Sequence, residues 1–355
     1  MACSCTQSFM NLEEFTYELP ESLIAAFPSR EREKSRLLVL RRATGEMVHS
    51  IFSDLGEFLD SGDLLVLNDT KVFPARLRGK KDSGGKVEVL LLERFPDAAR
   101  SLWIALVDAA KKPRVGGVLN FSERMTAQVI GDLGRGRFGL EFHHAGEFSE
   151  QLEALGEPPL PPYVRRQRAT ETLDWERYQT VYAAHSGAIA APTAGFHFTP
   201  ELFAKLGARG IERTLLTLHV GPGTFQPLRE AEIENHRMEG ERYSLSAASA
   251  DKINRTKQMR GRVVAVGSTT TRALEWIALQ KGRIITDEGI ARLYIRPGDS
   301  FRVLDALITN FHFPGSTPLV LVAAFAGLDL VRRAYREAIE KKYRFYSYGD
   351  AMLIL

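Results

Sequence analysis

The sequence predicts an α/β main domain, barrel-like in architecture, interrupted by a small antiparallel all-β barrel. Three observations support this. The length of 355 residues suits two domains of about 100–200 residues each. From Asp63 onward, short apolar stretches recur about every 8–12 residues between Gly or Pro turns, up to the proline cluster at 158–162. Outside that segment, strand–loop–helix units recur. The spacing of the short stretches is typical of a barrel or a sandwich. We therefore expect 62–156 to form the inserted all-β module, and 1–61 with 157–355 to form the α/β domain.

Composition excludes several protein classes. No apolar run approaches the roughly 20 residues of a membrane span, and the N-terminus lacks the basic region and apolar core of a secretory signal. The only cysteines, Cys3 and Cys5, are poorly spaced for a disulfide and too few for structural zinc. We expect a cytoplasmic protein with a functionless N-terminal tail. The net charge of +3 permits nucleic-acid binding without arguing for it.

In the first part of the chain, the charge run at 29–36 is typical of a solvated loop, and 37–40 is expected to be a strand. Within the β module, alternation and turn signals predict a series of short strands. They cover 64–67, 73–79, 86–92, 102–107, 118–121, 126–130 and 137–142.

Cations cluster at two places near this module. Arg76, Arg78 and Lys80 alternate along one predicted strand, so all three should share a face. Further arginines follow the proline linker, at Arg165, Arg166 and Arg168. Such a cluster fits a phosphate backbone, but charge on an edge strand also protects against aggregation. Both interpretations stay open.

The segment 178–199 is unusual because small residues fill its middle and histidines, His185 and His197, lie near its edges. Small side chains let a backbone approach a ligand or another element closely. Thr199 and Pro200 then predict a helix N-cap and first position. The segment predicts either a small-molecule site or a tight helix–strand crossing.

The second half predicts three strand–loop–helix units. Strand 213–220 contains His219, strand 262–266 leads through loop 267–272 to helix 273–280, and strand 306–308 leads through loop 309–315 to a helix beginning at Pro318. A hairpin is predicted at 282–295, a surface helix at 329–343, and an aromatic segment packed on the core at 343–350.

Two features of these loops suggest a site. Hydroxyls and free N–H groups at the start of a helix favour an anion, and Arg272 could clamp it; simple capping by threonine is the alternative. His197, His219 and His312 each lie near a strand or helix end, which predicts a shared cleft, although such histidines are often satisfied core residues. No His-Glu-x-x-His or nearby carboxylate ligand occurs, so we expect no metal.

Several long strings resemble the S-adenosylmethionine:tRNA ribosyltransferase-isomerases of bacterial queuosine biosynthesis, nearly end to end. They are Tyr-Glu-Leu-Pro at 17–20, Leu-Asn-Asp-Thr-Lys-Val at 67–72, Ala-Pro-Thr-Ala-Gly-Phe-His-Phe-Thr at 191–199, Leu-His-Val-Gly at 218–221, Thr-Asn-Phe-His at 309–312 and Tyr-Gly-Asp-Ala-Met at 348–352. The sequence at 267–272 differs from that of the family, although Arg272 is kept. Gly315 stands where the family commonly has Lys.

The resemblance implies an α/β domain with an inserted β-barrel, and a reaction without a metal. S-adenosylmethionine would donate its ribosyl part to 7-aminomethyl-7-deazaguanine at the tRNA wobble position. Isomerisation would give epoxyqueuosine and release adenine and methionine. The implied partners are therefore this cofactor, as a substrate, and a modified tRNA; we expect no membrane and a monomer.

The chemistry of that reaction suggests residue roles. A base must take a C5′ proton beside the sulfonium, adenine leaves better when protonated, and the attacking amine must be neutral. Histidine suits such transfers. We expect His197, His219 and His312 to carry them, without dividing the steps. We expect binding roles for three further groups of residues: Arg272, Thr269 and Thr270 for the methionine carboxylate or a tRNA phosphate; Asn68, Asp69 and Asn310 for ribose, adenine or deazaguanine; and Arg76, Arg78, Arg165 and Arg166 for tRNA.

Two other functions remain as alternatives. An RNA methyltransferase could use the same cofactor, but Gly221-Pro222-Gly223 lacks the third glycine and helix of a nucleotide-binding loop. A noncatalytic nucleic-acid-binding protein could use the β-barrel alone. Release of adenine from cofactor and modified tRNA separates both from the ribosyltransferase.

Overall fold

The computed structural model describes residues 10–95, 101–164, 171–225, 228 and 230–355. Within these ranges it contains strands β1–β17 and helices α1–α7. The strands are β1 Arg36–Arg41, β2 Glu46–Ile51, β3 Leu64–Asn68, β4 Thr70–Val72, β5 Arg76–Lys81, β6 Lys86–Arg94, β7 Ser101–Asp108, β8 Val118–Ser122, β9 Met125–Gly134, β10 Arg137–His144, β11 His185–Ala188, β12 Glu212–Leu218, β13 Glu241–Leu245, β14 Val263–Val266, β15 Asp287–Ala291, β16 Ala306–Asn310 and β17 Ala351–Ile354. The helices are α1 Phe148–Leu155, α2 Glu171–Arg177, α3 Pro200–Ala208, α4 Ala247–Gln258, α5 Ser268–Lys281, α6 Thr317–Ala326 and α7 Leu328–Glu340.

A nine-stranded mixed sheet forms the main body, in the order β15-β13-β12-β3-β14-β16-β17-β1-β2. The four strands β12, β3, β14 and β16 run parallel to their neighbours in this group. Every residue of β3, β14 and β16 is buried, as expected for strands covered on both faces. Because parallel strands end at one edge, the loops after these four strands meet there.

A second unit is a closed six-stranded antiparallel barrel in the order β10-β7-β6-β5-β8-β9. Its strands alternate, as in β6, where Val87, Val89 and Leu91 point into the barrel core. Closure leaves no unpaired edge in the ring. The predicted fold class, an α/β domain with an antiparallel β-barrel, is confirmed. The barrel-like architecture expected for the main domain is wrong, because its nine strands form a mixed sheet that ends at β15 and β2 and does not close.

The predicted membership of the first strand in the β module is wrong. Strand β3 forms over Leu64–Asn68 but pairs with β12 and β14 of the main sheet, and β4 pairs with β11. Apolar content alone could not reveal these partners, which lie far away in the chain. The pairing does not itself divide the chain into domains, so the boundaries at 62 and 156 stay predictions.

The helices predicted in the second half of the chain are present, but some of them begin or end at other residues than predicted. Thr199 caps α3 by accepting a hydrogen bond from the N–H of Leu202 at 3.1 Å, and Ser316 caps α6. Helix α5 begins at Ser268, earlier than predicted, because the threonines continue the helix rather than form a loop. The predicted hairpin at 282–295 is wrong, since β15 pairs with β13. No helix in the described part of the chain is long and apolar enough to cross a bilayer.

The aromatic C-terminal segment packs on the core, as predicted. Tyr343, Phe345 and Tyr348 are buried. The carboxylate of Asp350 accepts hydrogen bonds from the N–H groups of Arg36 and Arg344, at 3.0 and 2.8 Å. Asp350 therefore holds the segment before β17 in place, which is a structural role.

Candidate active site

The main cavity opens where β14 and β16 end and α5 begins. Its cavity volume is about 50 Å³. Its walls come from three loops and a few single residues: 191–194, 267–269, 309–313, Tyr163, Val220, Pro318, Tyr346 and Ser347. Residues 191–194 of the segment 178–199 line this cavity, and the small-molecule site expected beside that segment stays a prediction.

The start of α5 supplies hydrogen-bond donors to the main cavity. Gly267 occupies its N-cap position with φ 92°, a conformation that favours glycine, and no side chain caps the helix there. The first N–H groups of a helix have no intrahelical acceptor. Ser268 and Thr269 line the cavity at this point. The start of α5 therefore favours a polar or anionic group.

His312 lines the main cavity and has one occupied ring nitrogen. Its Nε2 bonds the hydroxyl of Thr309 at 2.8 Å, while Nδ1 has no hydrogen-bond partner within the described ranges. The hydroxyl of Tyr17 donates to its carbonyl, and its N–H donates to Tyr335 at 3.0 Å. Burial lowers the pKa of His312 to about 3, so the ring is neutral at pH 7. A neutral imidazole held by its backbone can accept a proton, but the lowered pKa makes it a weaker base than an ordinary histidine.

His197 lies behind the cavity wall and does not line it. Its Nδ1 bonds Ser35 at 2.7 Å and its Nε2 bonds the side-chain amide of Asn310 at 3.2 Å. The ring centroid is 5.0 Å from that of Phe52. Burial, reinforced by the charges of Arg344 and Arg32, lowers the pKa of His197 to about 3. With both nitrogens occupied, His197 orients Asn310, which does line the cavity.

His219 is also outside the lining of the main cavity, although its neighbour Val220 belongs to it. Its Nδ1 bonds the hydroxyl of Thr70 at 2.8 Å, and its ring lies against the backbone of Gly187. Burial and the nearby His185 lower its pKa. The prediction that three histidines share one cleft is therefore wrong for this cavity: strand ends bring their loops to one edge but do not fix where each side chain points.

Asn68 and Asp69 lie beneath the site rather than in it. The amide of Asn68 donates to the carbonyl of Leu218 at 2.9 Å, and its oxygen accepts from the N–H of Leu218 at 2.9 Å. Asp69 accepts from Thr217 at 2.6 Å, and its other oxygen is 3.6 Å from Nε2 of His185. Neither residue lines the main cavity. Their contacts join the ends of β3 and β12, so they have a structural explanation.

The three residues that were predicted to bind an anion have different positions and hydrogen-bond partners. Thr269 lines the main cavity and accepts a bond from Asn68 at 3.4 Å. Thr270 is fully buried and donates to the carbonyl of Val266, the last residue of β14, at 2.7 Å. Arg272 points away from the main cavity and pairs with Glu241 at 2.5 Å.

The structure separates the cations predicted to face tRNA. Arg76 is buried, donates to Glu88, and donates to the carbonyl of Leu160 at 2.8 Å, so it is not a surface residue. Arg78 is exposed but donates to Glu157 at 2.8 Å, and this hydrogen bond raises its pKa. Arg165 and Arg166 lie outside the described residues.

Comparison with known proteins agrees with this architecture. The family model described as "Queuosine biosynthesis protein" matches residues 12–354. The chain belongs to this family. It is 51% identical over 345 residues, 97% of this chain and 100% of the relative, to the S-adenosylmethionine:tRNA ribosyltransferase-isomerase of Pelobacter propionicus. It is 49% identical over 347 residues, 98% of this chain and 99% of the relative, to the enzyme of the same name from an Anaeromyxobacter species.

A solved structure is similar as well. The S-adenosylmethionine tRNA ribosyltransferase of Thermotoga maritima matches with a TM-score of 0.55 and 38% identity, over 96% of this chain and 100% of that one. The predicted membership of the queuosine biosynthesis family is confirmed, and the chain is an enzyme of that family.

In this member of the queuosine biosynthesis family, an aromatic wall of the main cavity escaped the sequence analysis. Tyr163 and Tyr346 meet edge to face, with ring centroids 4.8 Å apart, and the Tyr163 hydroxyl bonds Ser347 at 2.5 Å. Tyr346 has φ 73°, a left-handed conformation that large residues adopt rarely. The aromatic content near the C-terminus was the only signal. It indicated packing and did not indicate which rings face a ligand.

The backbone conformation explains why position 315 is a glycine in this family member. Its φ is 63°, and its N–H donates to the carbonyl of Phe15 at 2.9 Å. A lysine here would need a left-handed backbone, which costs about 1 kcal/mol or more. Position 315 therefore supplies a turn before α6 and no cation.

Proposed function

We propose that this enzyme transfers the ribosyl part of S-adenosylmethionine to 7-aminomethyl-7-deazaguanine at the wobble position of tRNA. Isomerisation of that group gives epoxyqueuosine, and adenine and methionine are released. The observation that carries the proposal is the main cavity of a family member, where a neutral histidine, a helix start and an aromatic wall converge. A purine suits the aromatic wall, and polar ribose groups suit the helix start.

His312 is the proposed proton-transfer residue in the main cavity. The sulfonium makes the neighbouring C5′ hydrogens acidic, and a neutral imidazole next to the substrate can take one. The unpartnered Nδ1 of His312, together with the Thr309 bond on Nε2, supports this assignment. A proton on the ring could then pass to adenine as its bond to the ribose breaks.

His219 and His197 receive different proposed roles. The Nε2 of His219 has no hydrogen-bond partner within the described ranges, and Asp69 and His185 lie close to it. This group suits the removal of a proton from the attacking amine. His197 is proposed to position Asn310, because both of its ring nitrogens bond the protein.

The tRNA is proposed to contact the barrel through exposed cations. Arg78, Lys80 and Lys86 line one groove of the barrel, which Glu88 and Asp108 line as well. Phosphate contacts of this kind hold a tRNA in position without reading its bases. Arg165 and Arg166 belong to the same proposal on sequence grounds. We further propose a cytoplasmic monomer that uses no metal.

The decisive experiment incubates the protein with S-adenosylmethionine and tRNA that carries 7-aminomethyl-7-deazaguanine. The proposal expects one adenine and one methionine per modified tRNA, with the new nucleoside identified by mass. S-adenosylhomocysteine as the product would indicate a methyltransferase instead. Tight tRNA binding without turnover of the cofactor would indicate a noncatalytic binding protein.

A further inference from the structure

A second, smaller cavity lies next to the main one, between the starts of α5 and α6. We call it the small cavity. It is lined by Met238, Ser268, Arg272, residues 293–295, Thr317, Pro318 and Leu321. Ser268 and Pro318 line both cavities, so the two are adjacent. The two cavities therefore share part of their walls.

Arg272 leaves one donor group unused in the small cavity. Its Nε donates to the carbonyl of Leu293 at 3.0 Å and its Nη1 donates to Glu241 at 2.5 Å. Its Nη2 is buried and has no hydrogen-bond partner within the described ranges, and the whole side chain is only 5% exposed. An unsatisfied buried guanidinium nitrogen destabilises the folded protein. A ligand that accepts a hydrogen bond there would remove that destabilisation.

Tyr294 provides a second unused donor. It also lines the small cavity, and its hydroxyl is buried without a partner in the described part of the chain. Burial raises the pKa of this hydroxyl, so it keeps its proton and can donate. Two residues that line the small cavity therefore each carry a buried donor that has no acceptor among the described residues.

The two helix starts add to this preference for an anion. Ser268 begins α5, of 14 residues, and Thr317 begins α6, of 10 residues; both line the small cavity. Positive ends of two helices favour negative charge between them. Glu241 already balances the charge of Arg272, so hydrogen bonds and helix ends would provide the stabilisation.

We propose that the small cavity binds the carboxylate of the methionine part of S-adenosylmethionine, through Arg272 Nη2 and the Tyr294 hydroxyl. This inference rests on the proposed function. The walls favour a small-molecule carboxylate over a tRNA phosphate, because Arg272, Ser268 and Thr317 are all buried and leave no room for flanking nucleotides. Of the two anions expected for Arg272, this inference keeps the methionine carboxylate and drops the tRNA phosphate. Tyr294 takes the place expected for Thr269 and Thr270.

The test measures the Kd of two cofactors by calorimetry. S-adenosylmethionine carries the carboxylate; decarboxylated S-adenosylmethionine keeps the nucleoside, sulfonium and amine but lacks it. A hydrogen bond to a charged group contributes about 1.5–3 kcal/mol, or roughly 10- to 100-fold in Kd. The wild type should therefore bind the intact cofactor at least about tenfold more tightly than the decarboxylated one.

Two variants examine the donors separately. Arg272→Lys keeps a cation for Glu241 but loses Nη2, and Tyr294→Phe removes only a hydroxyl. Each variant should raise the Kd of S-adenosylmethionine by roughly tenfold or more. The Kd of the decarboxylated analogue should stay within about twofold of its wild-type value. Tyr243→Phe is the matched control, because its hydroxyl bonds Asp287 outside both cavities.

The outcomes separate this inference from the proposed function. Equal weakening of both cofactors, or equal wild-type affinity for both, would overturn the carboxylate site while the proposed reaction stands. Wild-type protein that binds neither cofactor and releases no adenine would contradict the proposed function and this site together. If Arg272→Lys fails to fold, the Kd values of Tyr294→Phe alone decide whether the small cavity binds the carboxylate.

Discussion

His312 and His197 are both connected to strand β16, yet their surroundings allow different chemistry. His312 follows the strand, lines the main cavity and has one ring nitrogen without a partner in the described part of the chain. His197 bonds Asn310, the last residue of the strand, and its other nitrogen bonds Ser35. Burial lowers both pKa values to about 3. The similar pKa values do not distinguish them; hydrogen-bond occupancy does.

The difference shows that two buried histidines with similar pKa values can have different roles. An imidazole with both nitrogens bonded to protein can fix the orientation of a neighbour but cannot exchange a proton with a ligand unless a bond breaks. An imidazole with one open nitrogen beside a cavity can do so at once. The family strings around 191–199 and 309–312 contain both histidines and do not separate these roles.

The largest effect is expected for His312→Ala. Loss of a general acid–base group should reduce the single-turnover rate of adenine release by about 10²–10⁴-fold. His49→Ala is the matched control, because that ring bonds Tyr343 and Glu337, each at 2.7 Å, away from the cavity. Adenine release at the normal rate from folded His312→Ala would remove His312 from the chemistry.

The next largest effect is on stability, for His197→Ala. The change removes two buried hydrogen bonds, to Ser35 and Asn310, and the contact with Phe52. We expect the free energy of unfolding to fall by about 1–3 kcal/mol. Urea unfolding of the wild type and the variant measures it. An unchanged midpoint would mean that His197 does not support the cavity wall.

The pH dependence of stability gives a smaller, graded effect. Folded His197 binds a proton only near pH 3, whereas the unfolded chain binds it near the ordinary value of 6.5. The unfolded state therefore holds more protons between these values, so the free energy of unfolding should fall as the pH drops from 6.5 toward 3. The contribution is about 1.4 kcal/mol per pH unit for one histidine.

Urea unfolding at several pH values between about 4 and 7 tests this dependence. His197→Gln cannot titrate, so its stability should fall less steeply with acid than that of the wild type. Identical slopes for the two proteins would show that His197 does not resist protonation in the folded state.

The smallest effect is expected on the barrel surface. Replacement of Lys80 and Lys86 by Ala, alone and with Arg78→Ala, should weaken tRNA binding and reduce its salt slope by roughly one per lost phosphate contact. The affinity for S-adenosylmethionine should stay the same. Lys205→Ala, an exposed cation on α3, is the control. Unchanged tRNA affinity at low salt in the triple variant would leave edge protection as the explanation.

Local patterns in the sequence were sufficient for part of this fold. Alternation in β6 and the Thr199-Pro200 cap depend on neighbouring residues, so both were predictable. The pairing of β3 with β12 joins Leu64 to Glu212, and the bond between His197 and Asn310 spans 113 positions. Spacing along the chain carries no direct information about such contacts. The loops of the site were therefore predictable, but the direction of each side chain was not.

The central claim is that His312 exchanges protons with the substrate while His197 holds the cavity wall. The most direct measurement is the single-turnover rate of adenine release for His312→Ala and His197→Ala, side by side, at a temperature where both are folded. The account predicts that the His312 variant is slower than the His197 variant by at least about tenfold. Equal rates, or a slower His197 variant, would contradict it.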